Sequence, residues 1–181
     1  MTTTKPPLPP LEPEQTLPDL LRPGLKLVFV GINPGYYSAQ VGHYYARPGN
    51  LFWWALSNSG LVTQTVGAED DATLLDLGIG FTDVVKRPTN SSGDLRQDEF
   101  DEGAAITRLK LKEIQPKVVC FVGLLGATAF LGRHARPGPL PDQLGNIRLF
   151  AMPSPSRRNA HYGRDGILQF FKDLAQFTSS V

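Results

Sequence analysis

The chain has 181 residues, 41% hydrophobic and 19% charged, enough for one domain with a sizeable core and short for two. It has no run of eighteen apolar residues, and no apolar stretch follows the lysine of the opening Met-Thr-Thr-Thr-Lys-Pro-Pro. Neither a membrane span nor a secretory signal is expected, and the reading is a soluble cytoplasmic protein. The net charge of +1 hides a split: residues 133–164 carry six arginines against one acid, Asp142, a local +5, while the rest carries 12 basic and 16 acidic residues, or −4. A polyanion would meet that segment rather than the average surface, unless it is an ordinary arginine-rich loop.

Residues 1–24 hold seven of the sixteen prolines, which lack a backbone donor, so they read as a flexible arm preceding one domain over 25–181. Residues 25–31 (Leu-Lys-Leu-Val-Phe-Val-Gly) read as a strand buried on both faces. Residues 51–59 and 99–115 read as helices, the second with Ile106, Leu109 and Ile114 on its apolar stripe and Pro116 as its stop. Residues 117–123 and 147–152 are two further strands, with a helix expected after Gly123. Cys120, the single cysteine, lies within the second of the three strands and reads as core; it allows no intramolecular disulfide and no multi-cysteine zinc site. His43, His134 and His161 lack ligand spacing, so no metal and no cofactor are expected. Asp165 can cap a last helix whose Ile167, Leu168, Phe171 and Leu174 form one stripe.

Strands alternating with helices predict an α/β fold, a three-layer α/β/α domain around a mostly parallel sheet. Ligands of such sheets sit outside the carboxyl ends of the strands. Those ends carry Gly31-Ile-Asn-Pro-Gly35, Gly123-Leu-Leu-Gly126 and Met152-Pro-Ser-Pro-Ser156. Neither glycine loop completes a Walker A or dinucleotide fingerprint. The first offers a neutral amide, Asn33, then Gly35 for close backbone approach, then Tyr36, Tyr37, Tyr44 and Tyr45. That set suits a flat, uncharged heterocycle, stacked on aromatic faces and read along its polar edge.

Four blocks in order, Gly31-Ile-Asn-Pro-Gly35, Gly49-Asn-Leu-Phe-Trp53, Phe81-Thr-Asp-Val-Val-Lys-Arg-Pro-Thr89 and Met152-Pro-Ser-Pro-Ser-Arg-Arg158, resemble the mismatch-specific uracil-DNA and thymine-DNA glycosylases of the uracil-DNA glycosylase superfamily. The resemblance runs from about residue 25 to about 164 and implies that superfamily's fold and a monofunctional DNA glycosylase of base excision repair. Uracil, and with it thymine, ethenocytosine or other modified pyrimidines, would be flipped from mismatched duplex DNA, especially opposite guanine, and water would replace the base at C1′. A monomer suits an enzyme that follows one duplex.

By the same resemblance Asn33 would position the attacking water. Ile32, Gly35, Tyr36 and Tyr45 would contact the base, and Ser38 would lie near its substituted edge. Ser154, Pro155 and Ser156 would belong to the loop that enters the duplex, with Arg157 and Arg158 long enough to fill the gap. The uracil-specific branch has an acid and a tyrosine where this chain has Asn33 and Gly35, which implies an unblocked pocket, broad specificity and modest rate. Met152 stands where that branch has a histidine.

A neutral amide orients water without taking its proton, a task for which a nearby carboxylate is suited. Asp94, in the loop after Thr89, is one candidate, with a turn or helix-capping role as the alternative. The apolar residues around Asp83 point to a structural role for it. Lys86 and Arg87 read as backbone-contacting cations rather than Schiff-base amines. The competing class is a catalytically silent DNA- or nucleotide-binding module of the same fold.

Overall fold

The computed structural model describes residues 10–12, 15–157 and 161–180. Its strands are β1 (Leu27–Gly31), β2 (Ile79–Asp83), β3 (Val118–Val122), β4 (Gly138–Leu144) and β5 (Ile147–Met152), ordered β2-β1-β3-β5-β4 in one sheet. All neighbours pair in parallel except β4, which runs antiparallel to β5 at one edge. The helices are α1 (Tyr36–Val41), α2 (Phe52–Ser57), α3 (Gln97–Ile114), α4 (Leu124–Leu131) and α5 (Gly163–Ser179).

Alternate residues of the central strands feed two cores, which is why these strands are apolar throughout. Leu27, Phe29, Cys120 and Phe150 face the layer containing α2 and α5, where Phe52, Leu56, Phe171 and Leu174 pack against them. Val28, Val30, Val119, Phe121 and Leu149 face α3 and α4, meeting Leu111, Ile114, Ala127 and Phe130. The expected three layers and mostly parallel sheet are thus observed.

Several local expectations differ from the structure. Two strands join the expected three. In β2, Gly80 interrupts the apolar run. In β4 burial alternates, and its Pro139 and Pro141, which donate no ladder bonds, are tolerated because the strand lies at the edge. On α3 the buried stripe is Gly103, Ala104, Thr107, Leu111 and Ile114, so of the three apolar residues expected there only Ile114 faces inward. Ile106 and Leu109 are exposed by 44% and 68%. Asp165 lies in the first turn of α5, where its charge suits the helix dipole, but Tyr162 occupies the cap position.

Residues 15–24 also differ from a flexible arm. Leu17 is buried, and Leu20 exchanges two backbone hydrogen bonds of 2.9 Å with Phe81 on the outer edge of β2. Proline forbids a continuous ladder but not a single bridge, and the leucines between the prolines supply apolar surface to bury.

Candidate active site

The carboxyl ends of β1, β2 and β3 and the loop after β5 surround a cleft of about 650 Å³, the size of a small-ligand site. The four sequence blocks converge here through backbone bonds. Thr89 N donates to the Pro34 carbonyl at 3.1 Å, and Leu51 N donates to the Pro155 carbonyl at 3.0 Å.

Asn33 follows β1, and its amide is oriented by what surrounds it. Nδ2 donates to the Arg87 carbonyl at 2.9 Å, to Thr89 Oγ1 at 2.7 Å and, more weakly, to the Pro34 carbonyl at 3.3 Å. Thr89 Oγ1 uses its own hydrogen on the Ser91 carbonyl at 2.7 Å, so it can only accept from Asn33. Nδ2 is thus committed to protein acceptors, and the remaining hydrogen-bonding atom of the amide is Oδ1. The loop supplying them is clamped by Arg87, whose guanidinium forms a two-pronged pair with Glu99 at 2.6 and 2.9 Å and also donates to the Asp94 carbonyl. That pairing, chiefly the hydrogen bond from Arg87, holds the Glu99 carboxyl down at about 2.

Asp83, read from sequence as structural, is the carboxylate the cleft contains. It ends β2 in register with Gly31, and its side chain is 3% exposed. A Cβ on Gly31 would stand 2.2 Å from Asp83 Oδ1 and 3.2 Å from the Tyr45 hydroxyl, so the opening of the Gly-Ile-Asn-Pro-Gly block must be glycine for the acid to fit. Oδ2 is buried and makes no hydrogen bond among the described residues; Lys86 Nζ approaches it only to 3.8 Å. Desolvation raises the Asp83 pKa to about 7, against the opposing pull of Lys86. The signal for this residue is an acid closing a short buried run, legible only once β2 is recognised as a strand beside β1.

Of the other expected site residues, Ile32, Gly35, Ser38, Tyr45, Ser154 and Ser156 line the cleft. Tyr45 adopts a left-handed backbone (φ 52°) and stacks one ring face on Phe52, centroids 4.0 Å apart. Its buried hydroxyl has no hydrogen-bond partner among the described residues, and desolvation pushes its ionisation well above the usual value. Ser38 Oγ accepts the Ala46 N–H at 3.1 Å, tying α1 to the following loop.

Tyr36, Pro155, Arg157 and Asp94 are not among the lining residues. Tyr36 is exposed in the first turn of α1, and Pro155 is buried with its carbonyl engaged by Leu51. Arg157 lays its stem across Gly49. Asp94 caps a single helical turn, Ser92–Asp94, by accepting the Ser91 N–H at 3.1 Å, the capping alternative rather than a place in the cleft. Arg158 lies outside the described residues.

The arginine-rich segment does not form one patch. Arg148 is the second residue of β5, at the end of the sheet opposite the cleft, where it covers Phe177 at 3.9 Å. Arg133 pairs with Asp142. Arg164 lies 4.0 Å over Trp54, and the arginine that lines the cleft, Arg47, is outside the segment. Among the described residues no cluster of three or more His, Cys, Asp or Glu side chains is arranged to hold a metal ion, and no helix is long and apolar enough to cross a membrane.

A solved solution structure of a protein from Methanosarcina acetivorans, described as a candidate uracil DNA glycosylase, superposes with a TM-score of 0.56. It covers 90% of this chain and 98% of that one at 20% identity, a likeness of fold. The profile of the Uracil DNA glycosylase superfamily matches residues 18–176, a span that holds every residue lining the cleft except Leu17. The chain belongs to the uracil DNA glycosylase superfamily.

Proposed function

We propose that the chain is a monofunctional DNA glycosylase that hydrolyses the N-glycosidic bond of uracil, and of bulkier or 5-substituted pyrimidines, in mismatched duplex DNA, with guanine the favoured opposite base. The observation that carries the reading is the pair of polar groups at the strand ends. Asn33 lines the cleft with its Nδ2 committed to protein acceptors, and burial raises the pKa of Asp83, beside Gly31, to about 7. Water held by Asn33 Oδ1 attacks C1′ as the bond to the base breaks, the electron pair leaving with the base, and the proton from water passes to ionised Asp83. A carboxylate with a pKa near the working pH suits that transfer, and positioning contributes the rest of the rate. Asp83 thereby takes the water-activating part expected of Asp94.

Glycine at position 35, with no side chain to guard the cleft mouth, supports tolerance of substituted bases. Ser154 and Ser156 line the cleft, and Arg157 follows them with its stem over Gly49, consistent with entry of that loop into the gap left by a flipped base. The extrusion cost is lowest at a mispair.

The test is single-turnover strand incision after alkali on duplexes carrying G·U, A·U, G·T and G·ethenocytosine, with wild type beside Asn33→Ala. The expected result is cleavage of G·U and at least one bulkier lesion by wild type, and a loss of about 10²–10³-fold in the variant with unchanged duplex affinity. If both proteins bind the duplex and neither releases base, the chain is a binding module.

A further inference from the structure

Residues 15–20 run as a strap along the open side of β2 and reach the cleft. Gln15 Nε2 donates to the Ala39 carbonyl at 2.9 Å, Thr16 Oγ1 donates to the Lys86 carbonyl, and Tyr44 donates its hydroxyl hydrogen to the Pro18 carbonyl at 3.0 Å. Leu17 is part of the cleft wall. Two residues on, Asp19 is the hub of a charge cluster. Its Oδ1 accepts from Thr82 Oγ1 at 2.7 Å and from Lys86 Nζ at 2.9 Å, and its Oδ2 accepts from Lys110 Nζ of α3 at 2.5 Å. Lys86 stands between two carboxylates, hydrogen-bonded to Asp19 and 3.8 Å from Asp83.

We infer that Asp19 is a positioning residue of the site: by hydrogen-bonding Lys86 and Lys110 it holds Lys86, an ion-pair partner of Asp83 at 3.8 Å, back from a direct hydrogen bond to that carboxylate. The inference rests on the reading of Asp83 as the base. Lysine is a compact charge on a flexible stem, so without a nearer partner Lys86 closes the remaining gap to Asp83 Oδ2. A hydrogen-bonded ion pair there holds Asp83 permanently ionised and makes it a poor proton acceptor. The direct field acts in the same sense, since the negative charge of Asp19 opposes a second negative charge at Asp83.

Asp19 itself stays ionised. Burial works against its charge, but Lys110, Lys86 and Thr82 together hold its pKa below the ordinary value. The groups facing Asp83 are therefore Asp19 from the strap, Lys86 from the loop after β2, Lys110 from α3, and the hydroxyls of Tyr44 and Tyr45. Only Asp19 adds negative charge, so it is the residue whose removal moves Asp83 furthest toward ionisation.

The test is a pH titration of the Asp83 carboxyl carbon by NMR, assigned by its loss in Asp83→Asn, alongside the pH profile of single-turnover base release. In wild type the carboxyl midpoint lies near 7. In Asp19→Asn it moves down by about one pH unit or more, and the acid limb of the rate profile moves with it. Asp19→Glu, which keeps the charge, restores the midpoint toward wild type, whereas a purely structural role would lower rate at every pH without moving either curve. An unchanged midpoint in folded Asp19→Asn overturns the inference. Should that variant not fold, Lys86→Met takes its place: its midpoint is expected above that of wild type, and no movement overturns the inference equally. If the carboxyl titration shifts while the rate profile ignores both Asp19→Asn and Asp83→Asn, the electrostatic coupling of Asp19 to Asp83 stands, but the assignment of Asp83 as base, and with it the positioning role, fails.

Discussion

A carboxyl group that titrates at about 7 when folded and at 3.8 ordinarily makes stability fall as pH rises between those values, because the unfolded chain releases the proton first. Asp83 thus contributes least at and above neutral pH, where its ionised form serves the reaction. Asp83→Asn is expected to be more stable than wild type at pH 8 by on the order of a few kcal/mol, with the difference vanishing below about pH 4. Urea unfolding at the two pH values checks this. The same variant should lose about 10²–10⁴-fold in single-turnover rate, together with the rise in rate through pH 7. At this scale Asn33 was legible as a site candidate only through the four blocks in order, since alone an amide between a strand end and Pro-Gly reads as a turn residue. Asp83 was not, because its meaning depends on a neighbour 52 residues away: Gly31, whose missing side chain makes the space that the carboxylate fills.

Helix α5 buries Ile167, Phe171 and Leu174 against the sheet, and Phe171 touches the rings of Phe29 and Phe52 at 6.1 and 5.3 Å. Phe171→Ala is expected to cost about 3–5 kcal/mol, measured by denaturant unfolding. The loop after β2 makes a different demand. Its clamp, Arg87 on Glu99, is exposed on the arginine side and holds the two acceptors that orient Asn33. Glu99→Ala should therefore leave the melting temperature nearly unchanged while lowering the single-turnover rate about tenfold, with duplex affinity retained. Long periodic or uniformly apolar elements were legible from sequence: β1, β3, β5 and α5 all appear where expected. Those that escaped were shaped by surroundings. Gly80 thins the apolar signal of β2, the two prolines of β4 are compatible only with an edge, and α3 turns its small residues inward because it lies close to the end of β2. A Cβ on Gly103 would meet the Val84 carbonyl at 2.2 Å.

Over the whole molecule, charge counted along the chain and charge arranged in space differ. Arg157 and Arg47 belong to the cleft side and Arg148 to the opposite end of the sheet, so Arg157→Ala should weaken duplex binding and reduce the slope of log K against log salt by about one unit, while Arg148→Ala leaves both unchanged. Titrating the two variants with one G·U duplex at several salt concentrations separates them. The sheet also has two free sides, and each is closed differently. On the β4 side, Pro139 and Pro141 remove donors that an incoming strand would need. On the β2 side, the outward N–H and C=O of Phe81 are both taken by Leu20. The strap is thus also a guard against self-association: a chain cut after Leu20 would uncover an apolar strand with unpaired backbone groups, and its first symptom would be insolubility rather than slow chemistry.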